Sequence, residues 1–232
     1  MNTRINRIIE KSDIKRERNR ENSAAILREL TDITQDKSKW PVSFNQVSDA
    51  LDIPSENIRH KALFLLGEMG LSYPDNVDHD LIKKIASCRT DSSEKVRAQA
   101  VCAMGRIGRG DYHLIVSWLP SMLKMRNDQS ENVRMNVIWA CENIATQKPE
   151  LFADQIDVFA EMLEDPADYV RMEAPEMFRV LGKRKPEYVL EYRSQLKELS
   201  EDDENRVVRV HADGALKAIE TAADKKKTEA AQ

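Results

Sequence analysis

An aliphatic residue followed by arginine recurs at Ile58-Arg59, Val96-Arg97, Val133-Arg134, Val170-Arg171 and Val208-Arg209, at spacings of 38, 37, 37 and 38 residues. A fixed period of this length marks stacked supersecondary units, none of which buries its own apolar face alone. The rest of each unit agrees. With the aliphatic residue as position 0, position +4 holds Ala62, Ala100, Val137, Ala174 and Ala212, and position +7 holds Leu65, Ala103, Ala140, Met177 and Ala215. Position +8 holds Leu66, Met104, Cys141, Phe178 and Leu216, and position +11 holds Met69, Ile107, Ile144, Leu181 and Ile219. All are apolar in all copies, and offsets 0, 4, 7, 8 and 11 form one stripe of an α-helix. The small residue at +4 lets a neighbouring helix come close.

Each such helix, called B, is preceded by a candidate helix A: about Pro41–Leu51, Val77–Ser87, Tyr112–Met125, Leu151–Leu163 and Tyr188–Leu199. In the A–B turns, Asp91 with Glu94 and Asp128 with Glu131 have capping-box spacing, and Asp165 with Asp168 is a relative of it. Gly70, Gly108 or Gly110, and Gly182 fall where the B helices are expected to stop, with Pro149 and Pro186 behind two of them. Pro175 is expected to kink the fourth B helix or shift its start, and Pro120 to kink the A helix before the third. The segment Arg4 to Thr34 lacks proline and glycine and has Ile26, Leu30 and Ile33 as its stripe, so it reads as a degenerate capping pair. The expected organisation is one solenoid domain over 1–222, with the capping pair in 1–36 and five repeats in 40–222. A disordered tail follows over 223–232, because "AADKKKTEAAQ" has no stripe. Seven glycines in the whole chain are too few for a many-stranded sheet, so the expected class is all-α.

Paired helices of this length, with aspartate in the turn and Val-Arg opening the second helix, resemble HEAT repeats from about Pro41 to Ala222. The resemblance implies a right-handed α-α superhelix, an armadillo-like α-solenoid, whose B helices line the concave face. It also implies a ladder between adjacent repeats, here Asp91, Asp128, Asp165 and Asp203 with Arg97, Arg134, Arg171 and Arg209. The first repeat departs: its nearest acid, Asp52, is one residue further from Arg59, and Pro54 intervenes. An arginine fork reaches several acceptors between stacked layers, so these residues are read as structural.

Opposite the stripe lie offsets +2, +6, +9 and +13, with +3 and +10 at the edge. Position +2 gives His60, Ala98, Met135, Met172 and Val210; +6 gives Phe64, Cys102, Trp139, Glu176 and Gly214; +9 gives Gly67, Gly105, Glu142, Arg179 and Lys217. Phe64, Met135, Trp139 and Met172, ringed by Arg106, Arg109, Arg179 and Lys183, are the expected partner-binding residues. Tryptophan is a frequent hot-spot anchor and methionine adapts to a peptide or helix. The expected ligand is an acidic-apolar protein segment.

Catalytic signals are scarce. None of His60, His79, His113 and His211 is followed by glutamate, which argues against the di-iron hydroxylases of the HEAT-repeat class, and no phosphate-loop, dinucleotide or nucleophile-elbow motif occurs. "MGRIGRGD", Met104–Asp111, reads as a helix end with left-handed glycines rather than a phosphate cradle. The three cysteines form no CxxC and point to buried free thiols in a reduced, cytoplasmic chain. No cofactor, metal or membrane partner is expected, since no apolar run approaches the roughly 18 residues a bilayer needs. The expected function is a non-enzymatic, protein- or peptide-binding adaptor. The alternative is nucleic-acid binding or base excision of the HEAT-like glycosylase type. A formal charge of −4, and six Lys/Arg against four Glu on the open B-helix positions, make a weak case for phosphate contacts. Seven basic residues against three acidic ones in Arg4–Arg20 read as a solvated helix.

Overall fold

Burial of the apolar stripe organises the chain. A computed structural model describes residues 21–230. Five B helices, α3 (Glu56–Ser72), α5 (Glu94–Gly110), α7 (Glu131–Ala145), α9 (Asp168–Arg184) and α11 (Arg206–Ala230), pack side by side in chain order. Of the 25 stripe residues, 24 are buried. The exception, Leu216, lies on α11, which has no later B helix to cover it. The A elements form the second layer: α2 (Trp40–Asp49), α4 (His79–Ser87), α6 (Leu119–Leu123), α8 (Ile156–Met162) and α10 (Arg193–Asp202). Before them, residues 21–35 form α1, which buries Leu30 and Ile33, and the Trp40 indole N–H donates to the Ile33 carbonyl at 2.8 Å. The other half of the expected capping pair lies outside the described residues.

The ladder is present but displaced by one step: it begins at Arg59, which was not expected in it, and the expected Arg209 binds no aspartate. Arg59 donates to both carboxylate oxygens of Asp91, at 2.8 and 3.0 Å. Arg97 does so to Asp128, Arg134 to Asp165 and Arg171 to Asp203. Each of these arginines spends its remaining terminal nitrogen on a carbonyl of its own A–B turn: Ile53, Asp91, Asp128 and Asp165 in turn. Each aspartate also accepts the amide two residues on, from Ser93, Ser130, Ala167 and Asn205. These aspartates therefore shape the turn and are not capping-box residues. The first repeat has Ile53 where the others have aspartate, so its turn offers no carboxylate to an arginine. Asp52 instead pairs with Lys84 at 2.8 Å. Arg209, the last rung, bonds only carbonyls of its own turn.

Gly70, Gly108 and Gly182 lie inside B helices and stop nothing, whereas Gly110 is the last residue of α5; no described glycine has positive φ, so the left-handed reading of Met104–Asp111 is corrected. Their role is close approach. A Cβ on Gly105 would stand 2.5 Å from the Ala140 Cα, and one on Gly70, Gly108 or Gly182 would strike Ile107, Ile144 or Ile219 of the next B helix. The isoleucine at +11 of one helix thus fills the gap left by glycine at +12 of the helix before it.

Three A segments are shorter than expected. Tyr112–Met125 is a chain of 3-10 turns around the five-residue α6, with Pro120 in its first turn, where a missing N–H costs nothing. α8 and α10 are likewise preceded by 3-10 turns at Pro149–Phe152 and Pro186–Tyr188. α9 runs unbroken through the buried Pro175. The expected tail is a correction too. α11 continues to Ala230, held beyond the stripe by buried Ala223 and by Lys226 on Glu187 at 2.7 Å.

Two stability outcomes follow. Asp165→Ala strands Arg134, whose side chain is only 13% exposed, and costs about 3 kcal/mol in urea denaturation. Gly105→Ala forces a backbone contact and costs about 1–3 kcal/mol in the same measurement; an unchanged midpoint would mean that the B helices move apart freely.

Candidate functional site

A B helix inside the stack is covered on three sides, by its A helix and by the B helices before and after it. The open arc is therefore narrower than the opposite half of a helical wheel. Phe64, Met135, Trp139 and Met172 stand half-exposed on it, as expected. Ala98 and Cys102 do not: both are buried, and the Cys102 thiol donates to Asn136 Oδ1 at 2.6 Å. Position +9 points at the next B helix rather than outward. Gly67 and Gly105 lie there against Ala103 and Ala140, and Glu142 and Arg179 occupy the same place in the following two repeats.

Two of the four expected cations, Arg106 and Arg179, are neutralised from within. The Arg106 guanidinium lies between the rings of Phe64 and Trp139, 5.3 and 4.8 Å from their centroids, and its Nε meets Glu68 Oε1 at 2.6 Å. Cation–π contact with both rings ties them to the arginine. Arg179 is bound to Glu176, and Arg109 donates to Asn143 Oδ1 at 3.3 Å. Arg109 and Lys183 are exposed and have no carboxylate partner among the described residues, so that half of the expected ring stays open to an acidic ligand.

Three of the four glutamates counted on the open B-helix positions collect between α7 and α9. Glu142, Glu173 and Glu176 approach one another, with His211 Nδ1 of α11 at 3.2 Å from Glu176 Oε1. Glu142 Oε1 is shut off from solvent and has no hydrogen-bond partner. Burial, reinforced by the charges of Glu173 and Glu176, pushes the Glu142 carboxyl up to about 9, so it is protonated near neutral pH. Burial, and then Glu176, also raise Glu173. The available signal was offset +3, polar in all five repeats: Lys61, Gln99, Asn136, Glu173 and His211.

Among the described residues, no group of three or more His, Cys, Asp or Glu is placed to hold a metal ion, and no helix is long and apolar enough to cross a membrane. Cys88, Cys102 and Cys141 are free and buried, and burial pushes all three thiols upward, Cys102 to about 12. Asp78 caps α4 by accepting the Leu81 amide at 2.8 Å, which accounts for the acidic cluster around His79.

A family model described as HEAT repeats matches residues 82–179. No curated protein matches the sequence. Several solved structures share its architecture. An engineered protein from a structural genomics consortium is 16% identical, with a TM-score of 0.61 and 83% of each chain covered. A designed armadillo repeat protein in complex with the peptide (KR)4 is 20% identical, with a TM-score of 0.55, covering 83% of this chain and 86% of that one. A computationally designed armadillo repeat protein for modular peptide recognition is also 20% identical, with a TM-score of 0.54 and coverages of 82% and 86%. At these identities the likeness is one of fold: an all-α solenoid.

The Glu142 shift has a measurable sign. A carboxyl raised from 4.5 to about 9 on folding favours the folded state below 4.5, and that contribution is lost as pH rises toward 9. Glu142→Gln removes the penalty, so its melting temperature relative to the parent chain climbs between pH 5 and 9; a constant difference would show that Glu142 ionises normally.

Proposed function

Because the chain is a HEAT-like repeat protein, we propose that it acts without catalysis, as a scaffold that holds a protein or peptide segment along its B-helix face. One observation carries this reading: the Phe64 and Trp139 rings are set in place by Arg106 before any partner arrives. Pre-set aromatic anchors lose little freedom on binding, and so give more affinity per contact. Met135 and Met172, half-exposed on the neighbouring turns, supply adaptable apolar surface beside them. The stack contributes rigidity, since each B helix is tied to the next through the ladder and the glycine approaches. The designed neighbours for peptide recognition support a peptide-like occupant. The buried free thiols suit a reducing compartment, and we assign the protein to the cytoplasm.

The experiment is selection of a displayed random octapeptide library on the purified chain. Selected peptides bind Trp139→Ala at least ~30-fold more weakly, the loss typical of an aromatic hot spot, while its melting temperature stays within a few degrees of the parent. Equal affinity for the variant, or a library that yields no binder, would remove this reading.

A further inference from the structure

The open arc of α5 has a hollow. Ala98 and Cys102 stand at the offsets where α3 carries His60 and Phe64 and α7 carries Met135 and Trp139, so small side chains lie between larger ones. The cavity that results has a volume of about 210 Å³, and besides these two it is lined by His60, Lys95, Gln99, Asn132 and Asn136. His60, Lys95 and Asn132 are exposed, so its mouth opens to solvent. No carboxylate lines it, and Lys95 is in no ion pair among the described residues.

Hydrogen bonds within the lining leave it N–H groups to give. Asn136 Nδ2 donates to the main-chain carbonyl of Asn132 at 2.7 Å, which fixes the orientation of its amide, because a carbonyl only accepts. Its Oδ1 accepts the Cys102 thiol, and its Nδ2 also donates to Asn132 Oδ1 at 3.0 Å. Both amide oxygens are thereby engaged, and Asn132 Nδ2 keeps its N–H groups. Gln99 Nε2 is shut off from water and has no hydrogen-bond partner. Gln99 as a whole is half-buried, so rotation about its side-chain bonds alone turns its amide into the hollow that it lines. One lysine among neutral donors suits a single negative charge. Desolvation, and then the charge of Lys95, hold the His60 imidazole below its ordinary value, so it adds no second charge near neutral pH. A phosphate dianion is better met by arginine forks, and Arg97 and Arg106 of the same helix are taken by Asp128 and Glu68.

We propose that the hollow between α3, α5 and α7 receives an aspartate or glutamate carboxylate of the segment held on the B-helix face, with its charge on Lys95 and its oxygens on the Gln99 and Asn132 amides. Met135 and Trp139, one turn beyond Asn132 and Asn136 on α7, take the apolar residues beside it. The proposal rests on the scaffold reading and names one residue type of the occupant. The Gln99 donor gains the acceptor that the free chain does not give it, which makes the site selective for an anion over an amide of the same shape.

The test is an NMR titration of the isotope-labelled full chain with the capped tripeptide Leu-Asp-Leu and its Leu-Asn-Leu and Leu-phosphoserine-Leu counterparts. Leu-Asp-Leu moves the side-chain amide signals of Gln99 and Asn132 to saturation, and Leu-Asn-Leu binds at least ~10-fold more weakly, the loss of a charge-assisted contact. Lys95→Gln, a change at an exposed position, lowers the affinity for Leu-Asp-Leu to that for Leu-Asn-Leu. Lys124→Gln, the same charge change between α6 and α7, leaves binding intact. No binding, equal binding of the aspartate and asparagine peptides, equal loss in Lys95→Gln and Lys124→Gln, or shifts confined to Arg109 and Lys183 would overturn the proposal. Tighter binding of the phosphoserine peptide would make the hollow a phosphate site and overturn it as well. Library peptides that depend on Trp139 but bind Lys95→Gln unchanged would keep the scaffold reading and end this one.

Discussion

An arginine fork that ties its own turn to the turn of the next repeat holds the stack in register. Each step satisfies three guanidinium nitrogens and both oxygens of an aspartate that is 5–13% exposed. Burial alone would raise these carboxyls, yet the net effect at Asp91, Asp165 and Asp203 is downward, because arginine bonds and a turn amide outweigh desolvation. A lysine in this place would supply one point charge and not the two-pronged contact. The ladder also has ends: Ile53 in place of aspartate closes it at one side, and Arg209 stops it at the other.

With the turns tied, the distance between B helices is decided by single side chains. Glycine and alanine let α3, α5 and α7 meet almost backbone to backbone, as Gly67 on Ala103 and Gly105 on Ala140 show. The next interface has Glu142 at that place. There an acidic side chain is enclosed between two helices, and burial together with Glu173 and Glu176 of α9 drives its carboxyl toward neutrality. The surface that distinguishes this protein thus arises where the repeat rule for close approach is broken.

Much of this was legible in the chain. The apolar stripe and the half-exposed Trp139 follow from periodicity, because burial on one face of a helix repeats with the helix; the resemblance to HEAT repeats implied the four ladder aspartates and Arg97, Arg134 and Arg171. Glycine was misread because a helix stop and a close approach call for the same residue, and only the neighbour's position separates them. Arg59 was set aside because its partner was sought in its own repeat, whereas the fork reaches forward to Asp91. The cations around Trp139 were read as free because Glu68 and Glu176, which neutralise Arg106 and Arg179, meet them only after folding. The continuation of α11 past Ala223 depends on Lys226 finding Glu187, 39 residues away.

By itself, the sequence determined that the chain stacks five helical hairpins, and which residue of each is buried, since a 37- or 38-residue period with an invariant apolar stripe permits few other ways to hide that stripe from water. Which charges remain free on the exposed arc was decided only by the tertiary structure. Ion pairs form between residues of different repeats, and their strength depends on separations of a few ångströms that no spacing along the chain specifies.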